Sequence, residues 1–163
     1  MVLPPAPPRV VCLGNVVADH VFRVEDIPQP PAKIAARSYV LNAGGMAANA
    51  AIAVTRLGGR ADFWGRVGDD LNAPLLAAAL EADGVNTTGL KRMAGGRSPV
   101  SAVLVDRHGE RTIIGFRGAD LGTDPAWLPL QTLAGAGALR NALEELGLRV
   151  DLVLVLPRQV GVP

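Results

Sequence analysis

Cysteine occurs once in this chain, at Cys12, so no disulfide can form within it. That usage fits a reducing compartment. Aromatic residues are scarce at 4%, so a core has to be built from Ala, Val and Leu. Net charge is nearly absent too. A formal +1 gives no electrostatic case for nucleic acid or an anionic membrane surface as a partner. No apolar run reaches the roughly 20 residues that a membrane-spanning helix needs. The longest, Ala43 to Val54, is short and interrupted by Asn49. The two histidines, His20 and His108, lie far apart with no metal-ligand spacing, and Cys12 sits in an apolar run that reads as core. Residues 1–8 are Pro-rich, lack the apolar centre of a signal peptide, and read as a disordered lead-in. These absences point to a cytoplasmic protein.

With 163 residues and 49% hydrophobic content, the chain is long enough for one domain with a real core. Val10–Leu13 is a continuous apolar run ending at Gly14, as expected of a strand buried on both faces. Val16–Val24 reads as a second extended piece and Ile34–Leu41 as a third. The pattern predicts a helix over Met46–Leu57, stopped by Gly58-Gly59, and a strand over Ala61–Val67. A second helix, capped by Asp69 or Asn72, is expected to run to Asp83. This β-α-β-α order predicts a parallel sheet. Val100–Val105 and Arg111–Phe116 flank a short polar loop and read as a hairpin. The remainder is Gly/Ala-rich sequence, a helix ending near Gly147 and a strand over Val150–Leu156.

The richest segment is Asn42-Ala-Gly-Gly-Met-Ala-Ala-Asn49. A Gly pair enters an almost wholly apolar helix, which is expected to be buried. A buried Asn49 would then need hydrogen-bond partners, since an unsatisfied polar group costs about 1–3 kcal/mol. Gly44 and Gly45 free the backbone and offer N–H groups to an oxygen at a helix start. Asn49 either bonds a hydroxyl ligand or holds the Gly14 loop. Asp19 either accepts ligand hydroxyls or closes a turn. Lys33 and Arg117 are lone basic residues that could meet a phosphate or sulfonate, or stay solvated.

These residues resemble the ribokinase-like, or PfkB-type, carbohydrate kinases. Gly44, Gly45, Ala47, Asn49, Ala51, Gly58 and Gly68 stand at the spacing of that family's first signature. Gly14–Asp19 is similar to its first strand, Trp64–Asp70 to its second strand and turn, and Gly109–Ile114 to half of its lid hairpin. The resemblance covers about residues 9–130. Lys33–Arg37, Gly84–Thr87 and Asp124–Trp127 resemble the sulfofructose and related sugar kinases. The resemblance implies an α/β fold: a ribokinase-like parallel sheet sandwiched by helices, with a small β lid at about 15–42 and 97–117. It implies a domain over 9–133, with 134–163 as a divergent segment. It implies phosphorylation of a sugar hydroxyl with ATP and Mg²⁺. Asp19, Gly44, Gly45, Asn49, Lys33 and Arg117 would hold a sugar or sugar derivative, and two copies would pair through the lid.

The family's Asp-Thr-x-Gly-Ala-Gly-Asp motif supplies its anion hole and base. It does not occur in these residues. Gly135-Ala-Gly137 is the nearest echo, but Ala138 stands where the base would be; Asn141–Glu144 echoes a magnesium motif. The expectation is therefore a truncated chain carrying the sugar-binding half, with no catalytic residue, most of the ATP and Mg²⁺ site missing, and no activity alone. The competing reading is a non-catalytic sugar-binding fragment or pseudoenzyme. A dinucleotide-binding domain is a third. It fits less well, because Gly44-Gly45 is not GxGxxG and the first β-to-α connection is too long.

Overall fold

The computed structural model describes residues 9–29, 31–122, 124–130 and the backbone of 152–155. The Pro-rich lead-in, the Gly135 and Asn141 echoes and the helix expected near Gly147 lie outside them.

Among the described residues two four-stranded sheets make the fold. The first has the order β5-β4-β1-β8, formed by Asn86–Arg92, Arg60–Val67, Arg9–Leu13 and Leu152–Val155. β1 is a continuous apolar run after Arg9, and β4 is buried along most of its length although it carries Asp62 and Arg66, because both of their faces are covered. They pair in parallel, as do β4 and β5, whereas β8 runs antiparallel to β1. The expected parallel sheet thus carries one antiparallel strand. One row of the sheet, Val10, Cys12, Ala61 and Phe63, shares a single cluster with both helices. These are α1 (Met46–Arg56), which contributes Ala47, Ala48 and Ala51, and α2 (Asn72–Ala82), which contributes Ala73, Leu76 and Leu80. Burying each larger side chain contributes about 1.5–3 kcal/mol. Cys12 is fully buried there, and that burial pushes its thiol up to about 11.

β5 has no counterpart among the expected strands. Its only large apolar residue is Leu90, and Lys91 and Arg92 leave it polar, as suits an edge strand. Its register shifts between Asp62 and Trp64, and a side chain at Gly89 would strike the Trp64 indole. Asp62, buried in β4, accepts from Arg9 Nε at 2.5 Å and Asn86 Nδ2 at 2.6 Å, tying β1, β4 and β5 together.

The second sheet has the order β3-β2-β6-β7, formed by Ser38–Gly44, Val17–Arg23, Val100–Val105 and Arg111–Phe116. β3 starts four residues later than expected and continues to Gly44. Its antiparallel partner β2 ends at Arg23, which fixes the first pair at Arg23↔Ser38. Gly44 is therefore the last strand residue, and Gly45 alone makes the turn into α1. β2 and β6 pair in parallel, far apart in sequence. β1 leads into β2 and β3 before the chain reaches α1, so residues 14–45 separate the first strand from the first helix. That connectivity differs from the strand–helix turn of a dinucleotide fold.

Candidate functional site

Where the second sheet meets the start of α1 lies an open cavity of about 760 Å³. That is within the range of small-molecule sites. The alternation along each strand decides which residues face it. Asp19, Ser101 and Gly115 stand in register across β2, β6 and β7, and all three line the cavity. One pair of residues further along, Val103 and Ile113 continue the same wall. The wall therefore grades from a polar row to an apolar one.

Asp19 is the centre of the polar row. Ser101 Oγ donates to its Oδ1 at 2.5 Å. A carboxylate has about four acceptor positions, so capacity remains for ligand hydroxyls. Gly44 lies behind it: a Cβ there would overlap Asp19 Oδ2. The Gly pair thus has two separate causes. Gly44 makes room for the carboxylate. Gly45 has φ +103° and passes so close to the Asn15 carbonyl that a side chain would collide with it. Gly45 and Met46 line the cavity, and among the described residues no side chain caps α1. Orphan amides of this kind at a helix start attract oxygens.

Of the six residues singled out in the sequence, Asp19, Gly45 and Arg117 line the cavity, and Gly44 is buried against Asp19. The structure does not bring Asn49 or Lys33 into the lining. The expected burial of Asn49 does not hold, because Ala47, Ala48 and Ala51 turn toward the sheet and Asn49 falls on the exposed side of α1. It shares a face with Met46 at i+3, one turn from the cavity rim. Lys33 is exposed in the loop between β2 and β3. Arg117 is exposed at the cavity mouth just after β7, with no carboxylate partner among the described residues. Beside it Phe116 is held in place by Arg97, whose guanidinium lies 4.6 Å from the ring centroid and whose Nε bonds Asp120 at 2.6 Å. That bond and the guanidinium charge hold the Asp120 carboxyl below its ordinary range.

Sequence reasoning passes over Asn15, Ser101 and Phe116, all of which line the cavity. Ser101 does carry a signal, as the one polar residue in an otherwise apolar strand.

The model of the pfkB family of carbohydrate kinases matches residues 7–154. The chain belongs to this family. It is 35% identical over 129 residues to fructokinase-2 of Solanum habrochaites, covering 78% of this chain and 38% of that protein. It is 35% identical over 117 residues to the ATP-dependent ribose-1-phosphate kinase of Halopiger xanaduensis, covering 72% of this chain and 40% of that protein. The structure of Arabidopsis thaliana ribokinase complexed with ribose and ATP superposes with a TM-score of 0.60 at 31% identity, covering 71% of this chain and 37% of that one. The chain therefore spans about two fifths of the length of the relatives it matches. The family's ribokinase-like fold, a mostly parallel sheet with helices, is the one described above.

The described residues do not by themselves fit the nucleotide and metal that the family implies. Among them no group of three His, Cys, Asp or Glu could hold a metal ion. The cavity presents a single cationic side chain, Arg117, to a polyanion. No described helix is long and apolar enough to cross a membrane.

Proposed function

We propose that this chain holds the sugar in an ATP-dependent sugar phosphorylation, with the second sheet as a lid over the bound substrate. Asp19 is the observation that carries the reading. Its carboxylate is aimed into a cavity, braced by Ser101 and accommodated only because residue 44 has no side chain. A structural turn Asp needs none of this. Asp19 would accept two sugar hydroxyls, and the α1 amides at Gly45 would meet a further oxygen. Lys33 and Asn49 belong to the same proposal as residues outside the cavity wall, Asn49 one helical turn from it.

Arg117 sharpens the substrate class. A guanidinium at the mouth, with no carboxylate partner among the described residues, suits a sugar bearing a phosphate or sulfonate. Calorimetric titration tests both parts with D-fructose, D-ribose and ribose 1-phosphate. Asp19→Ala should weaken every sugar by about ten-fold or more, the loss of one charge-assisted bond. Arg117→Ala should weaken ribose 1-phosphate by a similar factor and leave D-ribose within about two-fold. Failure of the wild-type chain to bind any of the three would remove the reading.

The runner-up, sugar binding without phosphoryl transfer, is favoured by the poor fit of the described residues to Mg²⁺. It predicts the same titrations and differs only in turnover.

The same reading has two copies pairing through the second sheet. On the face away from the cavity, Tyr39 and Ile114 of its two outer strands are 50% and 71% exposed, apolar side chains that a second copy would cover. Sedimentation should show a dimer that Ile114→Lys converts to monomer. A wild-type chain that is monomeric at every concentration would rule the pairing out.

A further inference from the structure

The second sheet is joined to the rest of the molecule at a polar knot that neither the Gly-Gly segment nor the cavity explains. The turn after β4, the start of α2 and the lead into β6 all converge on the Asp70 carboxylate. Its Oδ1 accepts the N–H groups of Asn72 at 3.1 Å and Ala73 at 3.2 Å, capping α2. The expected caps, Asp69 and Asn72, are not the ones used. The same oxygen accepts Ser98 Oγ–H at 2.7 Å, while Oδ2 accepts the Ser98 N–H at 2.7 Å. Ser98 Oγ in turn accepts the Gly68 N–H at 3.0 Å, and Ser98 is 2% exposed.

Capping a helix needs one acceptor oxygen, which Oδ1 supplies. Among the described residues Oδ2 serves Ser98 alone. Ser98 is followed by Pro99, which has no N–H to donate, so the Ser98 amide is the last donor that can fix the chain before β6 begins at Val100. From there the connection to the cavity is short. The Pro99 carbonyl accepts the Ala18 N–H at 2.9 Å, and Ser101 holds Asp19. Burial raises the Asp70 pKa, but the bonds from Ser98, Ala73 and Asn72 outweigh it and hold the carboxyl below its ordinary range. The group stays ionised, and its bonds are charge-assisted.

We propose that Asp70 and Ser98 are positioning residues: a latch that fixes where β6 enters the second sheet and, through Ser101, where the Asp19 carboxylate stands. The functional consequence rests on Asp19 being the sugar ligand; the latch itself does not.

Two variants separate the latch from the cap. Asp70→Asn keeps an oxygen for the α2 amides but turns an NH₂ group against the Ser98 N–H. Ser98→Ala removes the hydroxyl and leaves the cap intact. Amide hydrogen exchange on the full 163-residue chain reads both. In each variant the Ala18 amide should exchange at least about ten-fold faster, with Leu76 and Leu80 of α2 within about two-fold of wild type, since openings of separate units are separable. Unchanged exchange at Ala18 would overturn the latch. So would equal acceleration in α2, which would make Asp70 a helix cap only. D-ribose titration of the same proteins reads the consequence: the latch variants should bind about five-fold or more weakly, with Asp19 itself unaltered. If wild type binds neither D-ribose nor D-fructose, the ligand reading of Asp19 fails, and the exchange result still decides the latch.

Discussion

Given ATP, Mg²⁺ and D-fructose, the purified 163-residue chain is expected to release ADP at least about 10⁴-fold more slowly than a typical kinase. A missing general base costs about 10²–10⁴-fold. A missing anion-stabilising donor costs about a further 10²–10³-fold. The sequence carries neither the Gly-Ala-Gly-Asp element that supplies both in this family nor, among the described residues, a carboxylate cluster for a metal. The two losses multiply because they act on different parts of the transition state, the attacking hydroxyl and the transferred group. A coupled assay of ADP release, run with D-fructose, D-ribose and no sugar, checks the expectation. Sugar-dependent turnover within about ten-fold of the usual 1–100 s⁻¹ would sink it. The same assay separates the two readings of the cavity when a longer form of the protein is available: a kinase regains turnover, a binding module does not.

The second large effect belongs to Gly44→Ala. A single methyl there would occupy the position of Asp19 Oδ2. Either the carboxylate swings out of the cavity wall and leaves Ser101, or the β2–β3 pair separates at Val17↔Gly44. Overpacking of this kind costs about 1–3 kcal/mol. For a chain of this size that corresponds to a melting temperature lower by about 2–4 °C per kcal/mol. Sugar binding should be lost with it. The double variant Gly44→Ala with Asp19→Ala distinguishes this clash from a general intolerance of β3. Removing the carboxylate should restore most of the melting temperature while binding stays absent. Calorimetric melting with the D-fructose and D-ribose titrations measures both quantities. A Gly44→Ala chain that melts like wild type would show that the crowding is relieved elsewhere. A double variant that melts no higher than the single would place the cost in β3 itself and not in the clash with Asp19.

Much of the fold is legible in the sequence because local chemistry dictates it. β1 announces itself as a continuous apolar run, as a strand covered on both faces should, and β4 through Ala61, Phe63, Trp64 and Val67. The hairpin of β6 and β7 and the span of α1 follow from local turn chemistry. What stays hidden is what depends on partners distant in sequence. β5 is polar and is made a strand by β4 beside it. β3 takes its register from β2 rather than from its own pattern. The cap of α2 falls on Asp70 because that residue is also claimed from across the fold by Ser98. At the site, Asp19 and the Gly pair are visible as residues, but the reason for Gly44 is not. Chain freedom suggests a turn, and the structure shows instead a place where a carboxylate needs the space. Asn49 shows the opposite failure. Apolar neighbours imply burial, yet on a helix the residues beside it in sequence face other directions.

The parallel pairing of β2 with β6 also has a consequence for synthesis. β2 and β3 adjoin in sequence and can pair as they emerge, but Ser101 follows Asp19 by 82 positions. At about 5–20 residues per second, a ribosome needs about 4–16 s to add them. For that interval the newly made hairpin has one edge without its neighbour, and the carboxylate that defines the cavity has no hydroxyl to brace it. Closing so long a loop is entropically slow, so this part of the molecule matures after the contacts nearer in sequence have formed.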